Sequence, residues 1–191
     1  MKKRCKTDYF EKLCLLAKIC NDNISYAHKI ITSQQIISDY TVHTGKDIMN
    51  EVKANLEKDY FAPFEREDIF MLGEKLNELS ENTFFLYTNV SHNNFFVFPG
   101  NFASLLECLM NASAAIYDIF INLSESQKSP GLNNLISKAE KKQKELKKRL
   151  YESYNQSQKT DYTGIFHHIE KCADSCQEII QLIQYTLLKN S

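Results

Sequence analysis

The sequence is poor in the residues that make turns. Its 191 residues include only 5 glycines and 3 prolines, and no tryptophan. Folds built from many short strands need a turn every few residues, and glycine and proline are the residues that favour turns. Leu, Ile, Lys and Glu are abundant instead, and they favour long helices. The composition therefore predicts an all-α protein.

The chain also lacks a strong charge of one sign and a long apolar run. Its formal net charge is −1, which argues against a nucleic-acid-binding protein. No apolar run approaches the roughly 18 residues of a membrane-spanning helix. Lys2 to Lys6 are followed by Asp8 and Glu11 rather than by the apolar stretch of a signal peptide. We expect a cytoplasmic protein that reaches a membrane only through a partner.

Six cysteines are present, but none forms a Cys-x-x-Cys pair. Most occupy positions where a helix would bury a small apolar residue, so reduced thiols in the core are the simplest interpretation. Cys172 and Cys176, one helical turn apart, could instead bind a soft metal together with His168.

Sequence patterns of common enzymes are missing as well. No histidine follows a glutamate by three residues, which excludes the Glu-x-x-His ligands of di-iron bundles. The chain has no glycine-rich phosphate loop, no His-Glu-x-x-His and no Gly-x-Ser-x-Gly. These absences favour a protein that is not an enzyme.

What the chain does contain is a series of apolar stripes with helical 3-4 spacing, which predicts six helices. Three-four spacing gives each helix a narrow apolar seam, as in antiparallel bundles. The predicted helices run from Phe10 to Ile31, from a capping box at Thr32 and Gln35 to about Asp59, from near Glu65 to Tyr87, from Asn101 to Leu123, from Ser129 onward, and from Thr160 to Leu187.

The predicted helices divide into two groups of three. Asn, Ser, Pro and Gly make residues of about 89–101 the best interior linker. It would separate a first three-helix half, about 7–88, from a second, about 102–189. The two halves echo each other, because polar pairs four residues apart occur in the third helix and again 93 residues later in the sixth. We expect two pseudo-symmetric three-helix bundles within a single domain.

The polar pairs are the candidate binding residues. Side chains at i and i+4 project from the same helix face, and carboxylates placed in this way suit a divalent metal ion or iron. The alternative is a solvated helix face. The candidate ligands are Glu170, Asp174 and Glu178 in the sixth helix and Asn77, Glu78 and Glu81 in the third.

The fifth helix carries a basic run. Its charges are spread around nearly all faces of the helix, which is typical of a solvated surface. An anionic partner, such as phospholipid headgroups or an acidic transporter loop, is the alternative. The run consists of Lys141, Lys142, Lys144, Lys147, Lys148 and Arg149.

Two segments resemble a known family. Residues 61–69, FAPFEREDI, are similar to the Thr-Pro-(Phe/Ile)-Asp-Arg-Glu-Asp-Ile signature of PhoU-like phosphate transport regulators, with Arg66, Glu67 and Asp68 as the matching core. Residues 169–178, IEKCADSCQE, look like that family's Leu-Glu-x-x-x-Asp-x-Cys-Glu-Asp segment. These regulators are small relatives of PhoU associated with Pit-type phosphate transporters.

The resemblance implies two pseudo-symmetric three-helix bundles and Glu/Asp-x-x-x-Asp motifs that hold metal ions in PhoU proper. This chain keeps those motifs unevenly. Glu170 and Asp174 match in full, whereas Asn77 replaces the first acid in the third helix. In the fifth helix Glu140 is kept but Lys144 stands four residues later, and residues 42–46, VHTGK, lack both acids of the second helix and keep only its histidine, His43. A lysine in place of a ligand could neutralise the remaining carboxylates without a metal.

The resemblance also implies a function. We expect a non-enzymatic regulator of phosphate transport that docks onto a phosphate transporter or a signalling protein at the inner membrane face. The alternatives are a metal-binding helical bundle that uses the acidic pairs, and a helical scaffold without a regulatory role. The sequence leaves both a monomer and a homo-oligomer open.

Overall fold

A computed structural model describes residues 9–33, 45–58, 62, 64–92, 100–125, 131–156 and 163–189. Within these ranges the chain forms six α-helices and no strand, so the predicted all-α class is confirmed. The helices are α1 (Tyr9–Ser33), α2 (Lys46–Lys58), α3 (Arg66–His92), α4 (Gly100–Glu125), α5 (Leu132–Gln156) and α6 (Thr163–Lys189).

One hydrophobic core connects five of the helices. Seam residues of α1, α3, α4, α5 and α6 form a single buried cluster, in which Leu76 and Ile169 are fully buried. The helix α2 lies outside this cluster and closes a small second one with Tyr9 of α1 and Ile69 of α3. The predicted apolar stripes therefore do face the interior, as helical periodicity requires.

The packing joins α1–α3 to α4–α6 through two helix pairs. The helix α1 packs against both α3 and α4, and α3 packs against α6. The helix α5 lies mainly on α4 and touches α6 less extensively. Because the core runs through both groups without a break, the two predicted halves share one interior.

The contact between α3 and α6 supports the predicted pseudo-symmetry. Asn82 lies 3.5 Å from Ser175, and these two residues are 93 positions apart, the same offset as the echo of polar pairs. On either side of this contact, Lys75 meets Glu178 and Phe85 meets His168. Phe85 lies 93 positions before Glu178, and Lys75 lies 93 positions before His168. The two pairs therefore occupy equivalent places in the two halves. The division into two halves otherwise stays a prediction.

The predicted start of the second helix at Thr32 is wrong. Thr32 and Ser33 form the last turn of α1, where the Thr32 hydroxyl donates to the His28 carbonyl at 2.9 Å and the Ser33 hydroxyl donates to the Lys29 carbonyl at 2.6 Å. These side chains bond back to carbonyl groups of their own helix and do not cap N–H groups at the start of the next. Gln35, the other residue of the predicted capping box, lies outside the described residues, as do Ser129, Pro130, Thr160 and Asp161.

The third helix is longer than its apolar stripe predicts. It continues to His92 and so takes in the first residues of the predicted linker. The Thr88, Asn89 and Ser91 side chains each bond to the carbonyl four residues earlier, and Val90 is fully buried. Polar side chains that bond back to their own helix in this way are compatible with a helix that continues past its apolar stripe. The helix α4 begins at Gly100, and the linker residues 93–99 lie outside the described part.

The helix α4 is the most apolar of the six. Over residues Asn101–Glu125 it is long and apolar enough to span a membrane by composition alone, with a mean hydropathy of 1.3. Half of that window is buried by the other helices, and Leu105, Leu109 and Ile119 belong to the main core. Its apolar character is accounted for by its place at the centre of the bundle.

Gly45 precedes α2 at a point where the chain passes very close to α1 and α3. Its N–H donates to the Ser80 hydroxyl at 2.8 Å, and its carbonyl accepts from the Met49 N–H at 2.9 Å. A Cβ atom at this position would lie 2.3 Å from Leu16 Cδ2 and 3.1 Å from Asn77 Oδ1. Because Leu16 is fully buried, it has little room to move away.

We expect Gly45→Ala to destabilise the protein by about 1–3 kcal/mol, the usual cost of overpacking a filled core. The matched control is Gly164→Ala in α6, where a Cβ would meet nothing within 4 Å and where the loss of backbone freedom in the unfolded chain favours alanine by about 0.4–1 kcal/mol. Urea unfolding of both variants measures the difference. Equal stability of the two variants would contradict the close approach at Gly45.

Candidate functional site

In the first half, the predicted polar pair lies beside the start of α2. The Asn77 amide donates to Glu81 Oε1 at 3.1 Å across one turn of α3. Asn77 Oδ1 is buried against Gly45 and has no hydrogen-bond partner among the described residues. Gly45 belongs to the segment that would carry acids in a PhoU-like metal site, and here it is packed closely instead. At this point Gly45 packs closely against Leu16, Ser80 and Asn77.

In the second half, each carboxylate of the matching acidic pair has a basic side chain as a neighbour. Asp174 Oδ1 lies 3.1 Å from Lys147 Nζ, and Glu170 Oε2 lies 4.0 Å from His167 Nδ1. Both carboxylates are more than half exposed. Lys147 comes from the basic run of α5, so that run supplies a counter-charge to the pair predicted to bind a metal.

The remaining two candidate carboxylates share one lysine. Lys75 Nζ lies 3.0 Å from Glu78 on its own helix and 2.5 Å from Glu178 on α6. These hydrogen bonds, first that of Glu178 and then that of Glu78, raise the pKa of Lys75. Lys75 therefore stays positively charged and bridges α3 to α6.

The six predicted ligands thus fall at four separate places, three of which already contain a cationic or histidine partner. Within the described ranges, no three His, Cys, Asp or Glu side chains are grouped so that they could hold a metal ion. A multinuclear centre needs several carboxylates around shared ions. The donor set of this chain, with Asn77, Lys144 and Lys147 at or beside the expected ligand positions, does not fit such a centre.

The signature residues hold the end of the last helix. Lys189, in the final turn of α6, lies 2.5 Å from Glu65 and 3.5 Å from Asp68. Asp68 is buried, whereas Arg66 and Glu67 are exposed. The hydrogen bond to Glu65 is the main cause of the raised pKa of Lys189. The sequence pattern assigned the acids to the first turn of their own helix. It did not predict the ion pairs with Lys189, because a local pattern does not indicate a partner so far along the chain.

The basic run is partly paired and mostly exposed. Besides Lys147, Lys142 lies 3.4 Å from Glu145 and Lys148 lies 3.9 Å from Glu152. Lys144 has no carboxylate partner in the described part of the chain, and the exposed members of the run are Lys141, Lys144, Lys147, Lys148 and Arg149.

The cysteine and histidine candidates belong to the packing. Cys20, Cys172 and Cys176 are completely buried, and burial raises the pKa of all three thiols, that of Cys176 to about 12. His168 is half-buried and its ring stacks on Phe85 at 5.9 Å. Neutral, buried thiols are poor ligands and poor nucleophiles, which favours the interpretation of these residues as core.

The fold is that of PhoU-like proteins. Two crystal structures from Shewanella oneidensis MR-1, one of a PhoU-like protein and one of a PhoU-like phosphate regulatory protein, superpose on the chain with TM-scores of 0.64. Their sequence identities to it are 13% and 14%, and each comparison covers 95% of this chain and 99% of the other. No protein-family model and no curated protein matches the sequence. The predicted PhoU-like architecture is therefore confirmed at the level of the fold.

We expect the protein to lose stability in mild acid because of His168. Burial, and then the charges of His167 and Lys171, lower the pKa of His168 below the ordinary value of 6.5. As the pH falls through that value, the unfolded chain binds a proton that the folded chain does not, so the free energy of unfolding decreases. Urea unfolding between about pH 7.5 and about pH 5.5 measures the slope.

His168→Gln should reduce that slope the most. His167→Gln removes only the neighbouring charge and leaves the burial of His168, which is the larger cause, so it should reduce the slope less. An identical slope in the wild type and in His168→Gln would show that His168 titrates normally.

We also expect the purified protein to contain far less than one equivalent of iron, zinc or manganese when no chelator is used. Lys75 and Lys147 already neutralise the carboxylates in question. Elemental analysis by mass spectrometry provides the measurement. Removing the cation in Lys75→Ala should raise the manganese affinity of the Glu78 and Glu178 pair, whereas Lys141→Ala should not. Stoichiometric metal in the wild-type protein would show that the lysines do not replace it.

Proposed function

We propose that this protein is a non-enzymatic, cytoplasmic regulator of phosphate transport, which docks onto a phosphate transporter or its signalling partner at the inner face of the membrane. The observation that carries the proposal is the PhoU-like fold, which extends over 95% of the chain and is shared with a protein described as phosphate regulatory. The signature-like segment that opens α3 points to the same family from the sequence.

The arrangement of polar groups supports docking rather than catalysis. Buried polar side chains in the described ranges mostly serve packing, as where the Asn23 amide donates to the Thr83 hydroxyl at 3.3 Å and the Thr83 hydroxyl donates to the Ser80 carbonyl at 2.9 Å. Apart from the buried Asp68, the charged residues of α3, α5 and α6 that form ion pairs lie on outer helix faces as neighbouring lysines and carboxylates. Surfaces of this kind suit electrostatic recognition of a protein partner.

Docking of a partner on the outer surface could change the contact between α3 and α6, because ion pairs connect these two helices. Lys75 joins them at one place and Lys189 at another. A partner that binds the carboxylate of Glu178 or Glu65 would compete for these lysines. The ion pairs of these two lysines therefore link the outer surface to the contact between α3 and α6, which is one of the two contacts that join the halves.

The experiment is a pair of measurements in cells that express the protein. Deleting the gene should change the rate of radiolabelled phosphate uptake, and the wild-type gene should restore it. Cross-linking in native membranes, followed by mass spectrometry, should recover a phosphate permease or a phosphate-signalling protein with the tagged protein. An unrelated tagged helical bundle is the control. Unchanged uptake at both low and high phosphate, with no such partner recovered, would contradict the proposal.

A further inference from the structure

A groove lies between α5 and α6, where these two helices pack less closely than α5 does on α4. Its volume is about 340 Å³, within the range of clefts that bind small ligands. It extends from Glu140 and Gln184 at one end to Lys147 at the other, beside the family's metal-binding motifs. Four glutamines, including Gln143 and Gln184, line it together with Glu140, Lys144, Lys147 and Ile180.

Two lysines give the groove its positive charge. Lys144 has no carboxylate partner within the described residues. Lys147 contacts Asp174, which lies outside the groove, and both members of that pair are about half exposed to water. Exposed ion pairs are weak and exchange readily, so Lys147 is available to a second anion. Lysine ammonium groups bind phosphate as compact point charges.

Hydrogen-bond acceptors lie next to the lysines. Glu140 Oε1 accepts from the Gln184 amide at 2.8 Å, and the Glu140 carboxylate lies on the wall of the groove. The Gln143 amide nitrogen donates to the Ala173 carbonyl, which identifies the other amide atom as the oxygen. That oxygen, Gln143 Oε1, is buried without a partner in the described part of the chain. Buried acceptors of this kind call for a donor.

Two cations beside an acidic acceptor suit an anion that still carries a proton. We propose that this groove binds inorganic hydrogen phosphate, with the charged oxygens on Lys144 and Lys147 and the P–OH group donating to Glu140. Sulfate has the same shape but no proton near neutral pH, so one of its oxygens would face the Glu140 carboxylate. A metal cation, in contrast, would be repelled by the two lysines.

Phosphate binding to this groove is a separate property from docking, because it is measured on the purified chain without a partner. Isothermal titration with inorganic phosphate, and separately with sulfate at equal ionic strength, should show that sulfate binds about tenfold more weakly or worse. Lys144→Gln should weaken phosphate binding by about tenfold. Lys141→Gln, an exposed lysine of the same helix outside the groove, is the matched control and should bind as the wild type does.

Two further variants test the assignment of partners. Asp174→Asn releases Lys147 from its ion pair and should strengthen phosphate binding. Glu140→Gln removes the carboxylate that repels sulfate. It should increase sulfate binding more than phosphate binding, so the difference between the two affinities should become smaller. Circular dichroism and thermal unfolding establish that each variant is folded before its binding is compared.

The absence of saturable phosphate binding would overturn the proposal, and so would equal affinities for phosphate and sulfate or equal effects of Lys144→Gln and Lys141→Gln. A protein that captures a phosphate permease but fails these titrations would leave the docking function standing and remove only the groove. Phosphate binding by the purified protein, with unchanged phosphate transport in cells, would support the groove and contradict the docking function.

Discussion

The burial of one continuous apolar core is the constraint on which the rest of this structure depends. Seam residues of five helices meet in a single cluster, and burial of apolar surface is the main favourable term in folding. Each helix must present its stripe to that cluster, so its rotation about its own axis is fixed. The charged residues are thereby placed on outer faces, and their partners follow from which helices are neighbours.

The same constraint explains why the acidic residues face lysines. The antiparallel contact of α3 with α6 brings Lys75 to Glu178, and the contact of α5 with α6 brings Lys147 to Asp174. Carboxylates four residues apart on a helix repel each other unless a cation lies nearby. In this chain the cations are the side chains of Lys75 and Lys147. The fold is PhoU-like, and at these two places its carboxylates are paired with lysines.

Local sequence patterns predicted the helices well in their middles and poorly at their ends. The stripe through Leu76 and the helix start near Glu65 are confirmed, because periodicity and first-turn acids act over a few residues. Thr32 was misassigned because a hydroxyl side chain can either cap N–H groups at a helix start or bond back to a carbonyl of its own helix. The end of α3 was placed too early, since its last turns combine a buried Val90 with polar residues that bond back to their own helix.

By itself, then, the sequence determined the all-α class, the apolar seams and the positions of the acidic and basic residues, all of which are encoded within one or two helical turns. Tertiary structure alone decided which charges meet. Lys189 bonds to Asp68, 121 residues away in the chain, and the Gly45 N–H bonds to Ser80, 35 residues away. The groove between α5 and α6 likewise exists only because two distant segments are adjacent. Such contacts depend on how helices pack, and no local pattern records the identity of a neighbour so distant in the chain.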